Sequence, residues 1–154
     1  TRNAGSIVTG NPTSGELPSR RADDGQSTPP RVLVVDDEPS ICRALAIALR
    51  RAGCEPLIAP DGEAALELLR REHVDVMILD LRMIGMRGDS LFHVAIAIQP
   101  QLQRQSLFMT GDVTERADNL IRSCGVPYLR KPFALNEVIR IVFELAPGRR
   151  SASA

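Results

Sequence analysis

Several apolar runs in this 154-residue sequence lead directly into residues that can do chemistry. Val32-Leu33-Val34-Val35 stops at Asp36 and Asp37, Val76-Met77-Ile78-Leu79 stops at Asp80, Leu107-Phe108-Met109 stops at Thr110, and Val126-Pro127-Tyr128-Leu129 leads to Lys131. Brought to one place, three carboxylates repel one another and stay ionised only if a cation is supplied. A divalent metal answers that need. Carboxylates with a backbone carbonyl and waters suit Mg²⁺, which prefers hard oxygen ligands and often takes a phosphate as a further ligand. A carboxylate can itself accept a phosphoryl group as an acyl phosphate. That transfer depends chiefly on positioning and on neutralising the equatorial oxygens, which a metal, an ammonium and a hydroxyl can do. Asp80 is the best nucleophile because it ends a strongly apolar run, and Asp36 and Asp37 are better placed as metal holders. Lys131 stands out compositionally: of 19 basic residues it is the single lysine among arginines, and a lysine offers a compact point charge where arginine offers a planar fork.

The elements that must carry these residues alternate. Val32 to Val35 is a short continuous run suited to a strand buried on both faces of a parallel sheet. Pro39 opens a helix with Ile41, Leu45, Ala48 and Leu49 at helical spacing, closed by Gly53. Further strands are expected at Glu55 to Ala59, Val74 to Leu79, Ser106 to Met109 and Val126 to Leu129. Further helices are expected at Asp61 to Arg71, Ser90 to Ile98, Val113 to Ser123 and Leu135 to Leu145, the last with Leu135, Val138, Ile141, Val142 and Leu145 turned inward. Five strands alternating with five helices imply a doubly wound α/β domain, a five-stranded parallel sheet with helices on both faces. The order 2-1-3-4-5 places the strands beginning at Val32 and Val74 inside, and ligands in such sheets sit beyond the carboxyl ends of the strands.

Read in order, these segments resemble the signature of response-regulator receiver domains, a flavodoxin-like fold. Val32-Leu33-Val34-Val35-Asp36-Asp37-Glu38 resembles the family's acidic pair, and Leu79-Asp80-Leu81-Arg82-Met83 its phosphoacceptor segment. Met109-Thr110-Gly111 resembles the switch-hydroxyl segment and Lys131-Pro132-Phe133 the lysine-proline-phenylalanine motif; the match covers about Arg31 to Ala146. The resemblance implies a domain that catalyses its own phosphorylation with Mg²⁺, taking the group from the histidine of a kinase or phosphotransfer protein onto Asp80. It implies that Asp37 and Asp80 bind the metal by side chain, Asp36 mainly through water, and Arg82 through its backbone carbonyl. Lys131 would pair with the phosphoryl oxygens, and its bond to Pro132 is expected to be cis. Thr110 would move toward the phosphate and Tyr128, the only tyrosine, would rotate inward, changing the face formed by the fourth helix, fifth strand and fifth helix. Partners, including a second copy in a homodimer, would read that face. One departure is Ile84, where the family usually has proline after the methionine. Arg82 and Asp112 are expected to form a salt bridge over the site that slows attack by water on the acyl phosphate.

Taken singly, each residue has a plain structural reading. Asp36-Asp37 before Pro39 is a helix cap, Asp80 a turn residue, Thr110-Gly111-Asp112 a turn into a helix, and Tyr128 a half-buried strand residue. Their conjunction carries the functional reading. An aspartyl-phosphate hydrolase is the enzymatic alternative, but its usual second acid two residues after the nucleophile is replaced by Arg82. A nucleotide-binding module lacks a glycine-rich loop after the first strand, where Asp36-Asp37-Glu38 would repel phosphates.

Residues 1–30 are rich in Gly, Ser, Thr, Asn and Pro and read as a linker or disordered arm, 31–146 as the receiver domain, and 147–154 as a tail. The long arm favours the receiver of a hybrid histidine kinase over a stand-alone single-domain regulator. Nineteen basic and nineteen acidic residues cancel, which argues against a nucleic-acid partner for this segment. No apolar run reaches the roughly 18 residues of a spanning helix, and the expected location is cytoplasmic. Cys42, Cys54 and Cys124 form no CxxC pair and read as buried thiols, and His73 and His93 as structural.

Overall fold

The computed structural model describes residues 28–82, 88–111 and 115–148. Five parallel strands, β1 (Arg31–Val35), β2 (Glu55–Ala59), β3 (Val76–Asp80), β4 (Ser106–Thr110) and β5 (Tyr128–Arg130), form one sheet in the order β2-β1-β3-β4-β5. Helices α1 (Pro39–Arg51), α2 (Gly62–Arg71), α3 (Gly88–Ile98), α4 (Glu115–Cys124) and α5 (Leu135–Leu145) alternate with them. The expected start of the fourth helix at Val113 and the family departure at Ile84 lie outside the described residues, as do 1–27 of the arm and 149–154 of the tail.

Strand periodicity divides the core in two. Leu33, Val35, Met77, Leu79 and Phe108 point to one face and join Leu66, Leu69, Leu91 and Phe92. Val32, Val34, Val76, Ile78, Leu107 and Met109 point to the other and join Leu45, Leu49, Val138, Ile141 and Val142. The interior strands are β1, β3 and β4, the last two buried along their whole length. Leu135 departs from the inward set: it is 38% exposed at the first turn of α5. Cys42 and Cys54 are buried, while Cys124 is only half-buried.

Local chemistry explains the helix ends. Pro39 tolerates the first turn of α1 because the missing N–H needs no partner there, Arg50 and Arg51 sit favourably in its last turn, and Gly53 takes φ +92 after it. Asp61 is the cap of α2 rather than its first residue, accepting from the Ala64 amide at 2.8 Å.

The third strand starts two residues later than the apolar run suggests. The Val74 amide donates to Gln99 Oε1 at 3.0 Å, and the Val74 carbonyl accepts from Gln101 Nε2 at 3.1 Å. Asp75 takes the Arg31 amide on its side chain at 2.8 Å and gives its carbonyl to Gln105 Nε2. Side chains therefore satisfy backbone groups that would otherwise pair in the sheet. The fifth strand likewise begins at Tyr128, because Pro127 has no N–H to contribute, although its carbonyl accepts from the Phe108 amide.

Gln99 also donates to the Leu69 and Glu72 carbonyls, both at 2.8 Å, closing the end of α2. Replacing Gln99 with Ala strips three backbone groups of partners and should lower unfolding free energy by about 2 kcal/mol. Urea denaturation with an unchanged m-value is the check.

Candidate functional site

The strand register delivers the chemistry-bearing residues to one edge. Val35 pairs with Leu79, Asp80 with Met109 and Thr110 with Arg130, so the carboxyl ends of β1, β3, β4 and β5 finish nearly level. Asp36 and Asp80 are buried at 0% and 3% exposure, Thr110 is buried, and Lys131 is part-buried. One oxygen each from Asp36, Asp37 and Asp80 lie within 4.8 Å of one another. Asp36, Asp37, Asp80 and Lys131 thus meet, with Thr110 joined to Lys131 through its backbone, whereas Asp112, the expected partner of Arg82, lies outside the described residues.

Lys131 is the hub. Its Nζ donates to Asp36 Oδ2 at 3.0 Å, to Asp80 Oδ2 at 3.2 Å and to Glu38 Oε1 at 3.3 Å. Its amide is fixed by the Thr110 carbonyl at 2.9 Å, and its bond to Pro132 is cis, as the resemblance implies. The acids are held just as firmly. Asp36 Oδ1 accepts from the Glu38 amide at 2.8 Å, and Asp80 Oδ1 from the Arg82 amide at 3.0 Å. Cys42 Sγ donates to the Asp36 carbonyl, and burial together with Asp36 and Asp37 pushes this thiol's pKa up, so it packs rather than reacts.

Burial raises the Asp80 carboxyl above its ordinary value; the Arg82 amide opposes the rise, Asp36 adds to it, and Lys131 opposes it. Burial alone would lower Lys131, but hydrogen bonds and charge attraction from Asp36 and Asp80 outweigh it and raise the ammonium. One lysine therefore leaves Asp80 short of positive charge. Clustered hard oxygen donors with that deficit fit a divalent cation of the Mg²⁺ class. Asp36, Asp37 and Asp80 are the side chains that could hold it, with the Arg82 backbone beside them.

A cleft of about 280 Å³ opens over these groups, lined by Asp37, Glu38, Asp80, Arg82, Gly111 and Lys131. Gly111 lines it without being required to, since a Cβ there would only reach ordinary contact with Lys131 at 3.9 Å. Tyr128 stands away from the cleft on β5, 45% exposed. Glu38 is the residue that sequence reasoning missed. Its signal was present, as the third acid of a run entering a helix, but nothing in the sequence shows that it reaches across to Lys131. His73 lies 3.1 Å from Asp75, and His93 packs edge-on against Phe92; neither lines the cleft.

Comparison with known proteins agrees with this geometry. A family model for the response regulator receiver domain matches residues 32–143. The probable transcriptional regulatory protein TcrX of Mycobacterium tuberculosis is 38% identical over 120 residues, covering 78% of this chain and 50% of its own. The transcriptional regulatory protein CutR of Streptomyces coelicolor is 35% identical, covering 79% and 55%. Among solved structures, chemotaxis protein CheY4 of Vibrio cholerae superposes with a TM-score of 0.68 at 27% identity, covering 76% of this chain and 98% of that one. Response regulator TrrA of Thermotoga maritima, solved with Mg²⁺-BeF, gives 0.66 at 29% identity over 75% and 98%. This chain spans about half the length of the curated relatives it matches.

Two outcomes test the electrostatics in metal-free buffer. Lys131→Met leaves Asp36 and Asp80 uncompensated and should cost about 3 kcal/mol at neutral pH. Asp80→Asn should instead be more stable than the natural protein at neutral pH. Because the folded carboxyl lies above its ordinary 3.8, the natural protein's deficit is absent below 3.8, builds as pH rises from there to the folded value, and is complete above it. Thermal unfolding across pH with EDTA present measures both.

Proposed function

We propose, for a chain that belongs to the response regulator receiver domain family, that it accepts a phosphoryl group on Asp80 from a phosphohistidine of a kinase or phosphotransfer protein and relays the event as a change of surface. The observation that carries this reading is the single ammonium bridging Asp36 and Asp80, with Asp37 completing an oxygen cluster at the mouth of a cleft. An Asp80 oxygen forms the new O–P bond while the N–P bond of the phosphohistidine breaks and its electron pair returns to the imidazole ring. Mg²⁺, when bound, supplies charge neutralisation for the phosphoryl oxygens. Lys131 supplies a further positive charge and an N–H to one of those oxygens, and the Arg82 amide holds Asp80 in line for attack.

Thr110 is the hydroxyl nearest in register, one strand from Asp80, and in this reading it turns toward the bound phosphoryl group. Tyr128, exposed on β5, then moves inward and alters the face made by α4, β5 and α5. That face is the proposed contact for partners, a second copy of this chain among them.

The wider context is a proposal too. The relatives described above carry names of transcriptional regulators, so they give the hybrid-kinase context no support and leave the exclusion of nucleic acid as a partner unsupported for a full-length protein. Among the described residues, no helix is long and apolar enough to cross a membrane.

Incubation with acetyl phosphate and Mg²⁺ should add one phosphoryl group by intact mass. Asp80→Asn and EDTA should each abolish the gain. An equal gain in the Asp80→Asn protein would reject the acceptor.

A further inference from the structure

Glu38 has no part in the reading above, yet it is the third ligand of the ammonium on which that reading rests. Its carboxylate lies 3.3 Å from Lys131 Nζ and is 57% exposed, whereas the two other partners of Nζ, Asp36 and Asp80, are 0% and 4% exposed. It makes no side-chain cap on α1, although it stands at that helix's cap position. It also lines both the acidic cleft and an adjoining groove of about 530 Å³ that includes Ile41, Ala44, Pro132 and Phe133.

An ammonium has three N–H donors, and here all three are committed to carboxylates. A phosphoryl group arriving at Asp80 needs one of them. Asp36 is buried and would be left an uncompensated charge, so its hold is the most costly to break. Glu38 is solvated on its far side and gives up its share most cheaply. It also places a negative charge at the entrance that the phosphoryl donor must pass.

We propose that Glu38 is a positioning residue for Lys131 that makes the acceptor site discriminate among phosphoryl donors by their charge. The proposal rests on the acceptor reading of Asp80. Glu38 keeps the ammonium directed toward the mouth of the cleft before transfer, competes with the incoming oxygens for it, and repels more highly charged donors more strongly. No redox step is involved: the O–P bond to Asp80 replaces the donor's bond to phosphorus, whose electron pair leaves with acetate or with ammonia.

Two small donors separate the effect from general disturbance. At neutral pH acetyl phosphate is largely a dianion, and phosphoramidate carries one negative charge fewer. Glu38→Gln keeps the side-chain length and an acceptor oxygen for Lys131 while removing the charge. Second-order rate constants for Asp80 phosphorylation, measured with Mg²⁺ saturating for each protein, should show the acetyl phosphate to phosphoramidate ratio rising by about threefold or more in Glu38→Gln. At about 1 M salt, where the screening length is about 3 Å, most of that change should disappear. Glu38→Asp, which retains the charge, should stay nearer the natural ratio. A purely structural role would change both donors alike, so an unchanged ratio overturns the proposal. Intact mass of the natural and Asp80→Asn proteins, run alongside, separates the two failures. If Asp80 takes no phosphoryl group from either donor, the acceptor reading and this proposal fall together; if it does and the ratio is unmoved, only the role of Glu38 falls.

Discussion

The structure depends on one unfavourable arrangement, carboxylates gathered where water is scarce. Asp36 follows β1 directly, Asp80 ends the neighbouring β3, and both are almost wholly withdrawn from solvent, so their mutual repulsion is weakly screened. The fold could dilute that repulsion only by ending its strands at different heights. Instead the register holds the strand ends level and a single side chain from the far side of the sheet crosses to meet both acids. The compensation is incomplete, as the raised carboxyl of Asp80 shows. A residual deficit of positive charge among clustered carboxylate oxygens is what suits the site to a divalent cation.

The rest of the molecule can be understood as the frame for that edge. The sheet has two hydrophobic faces, each sealed by helices, so the strands cannot tilt to separate the acids without opening one core or the other. At the opposite edge, glutamine side chains and Asp75 take over backbone groups that would otherwise extend β3. Rigid packing is thereby concentrated in the middle, and the loops after the strands are left to carry the chemistry.

Much of this was legible in the residues. Apolar runs located the strands, their polar endings marked the edge where Asp36, Asp37, Asp80 and Lys131 gather, alternation with helical spacing gave the fold class, and the two most apolar runs fitted the order 2-1-3-4-5. What escaped shares a physical cause. Val74 looks like strand because its side chain is apolar, but its backbone partners are glutamines more than twenty residues away, invisible to any local pattern. Leu135 fits the inward stripe of α5, but at the first turn of that helix it lines the open groove beside Ile41 and Phe133 and stays exposed. Glu38 reads in the sequence only as the acid that follows the pair Asp36 and Asp37. Its contact with Lys131 spans 93 positions and exists only because β1 and β5 finish on the same side.

The rarity of lysine here has a practical side. Since the other basic side chains are all guanidinium groups, isotopic labelling of lysine alone places a single side-chain nitrogen signal in the whole protein. That signal belongs to the atom touching Asp36, Asp80 and Glu38. The molecule therefore contains its own spectroscopic reporter, seated at the centre of the carboxylate cluster.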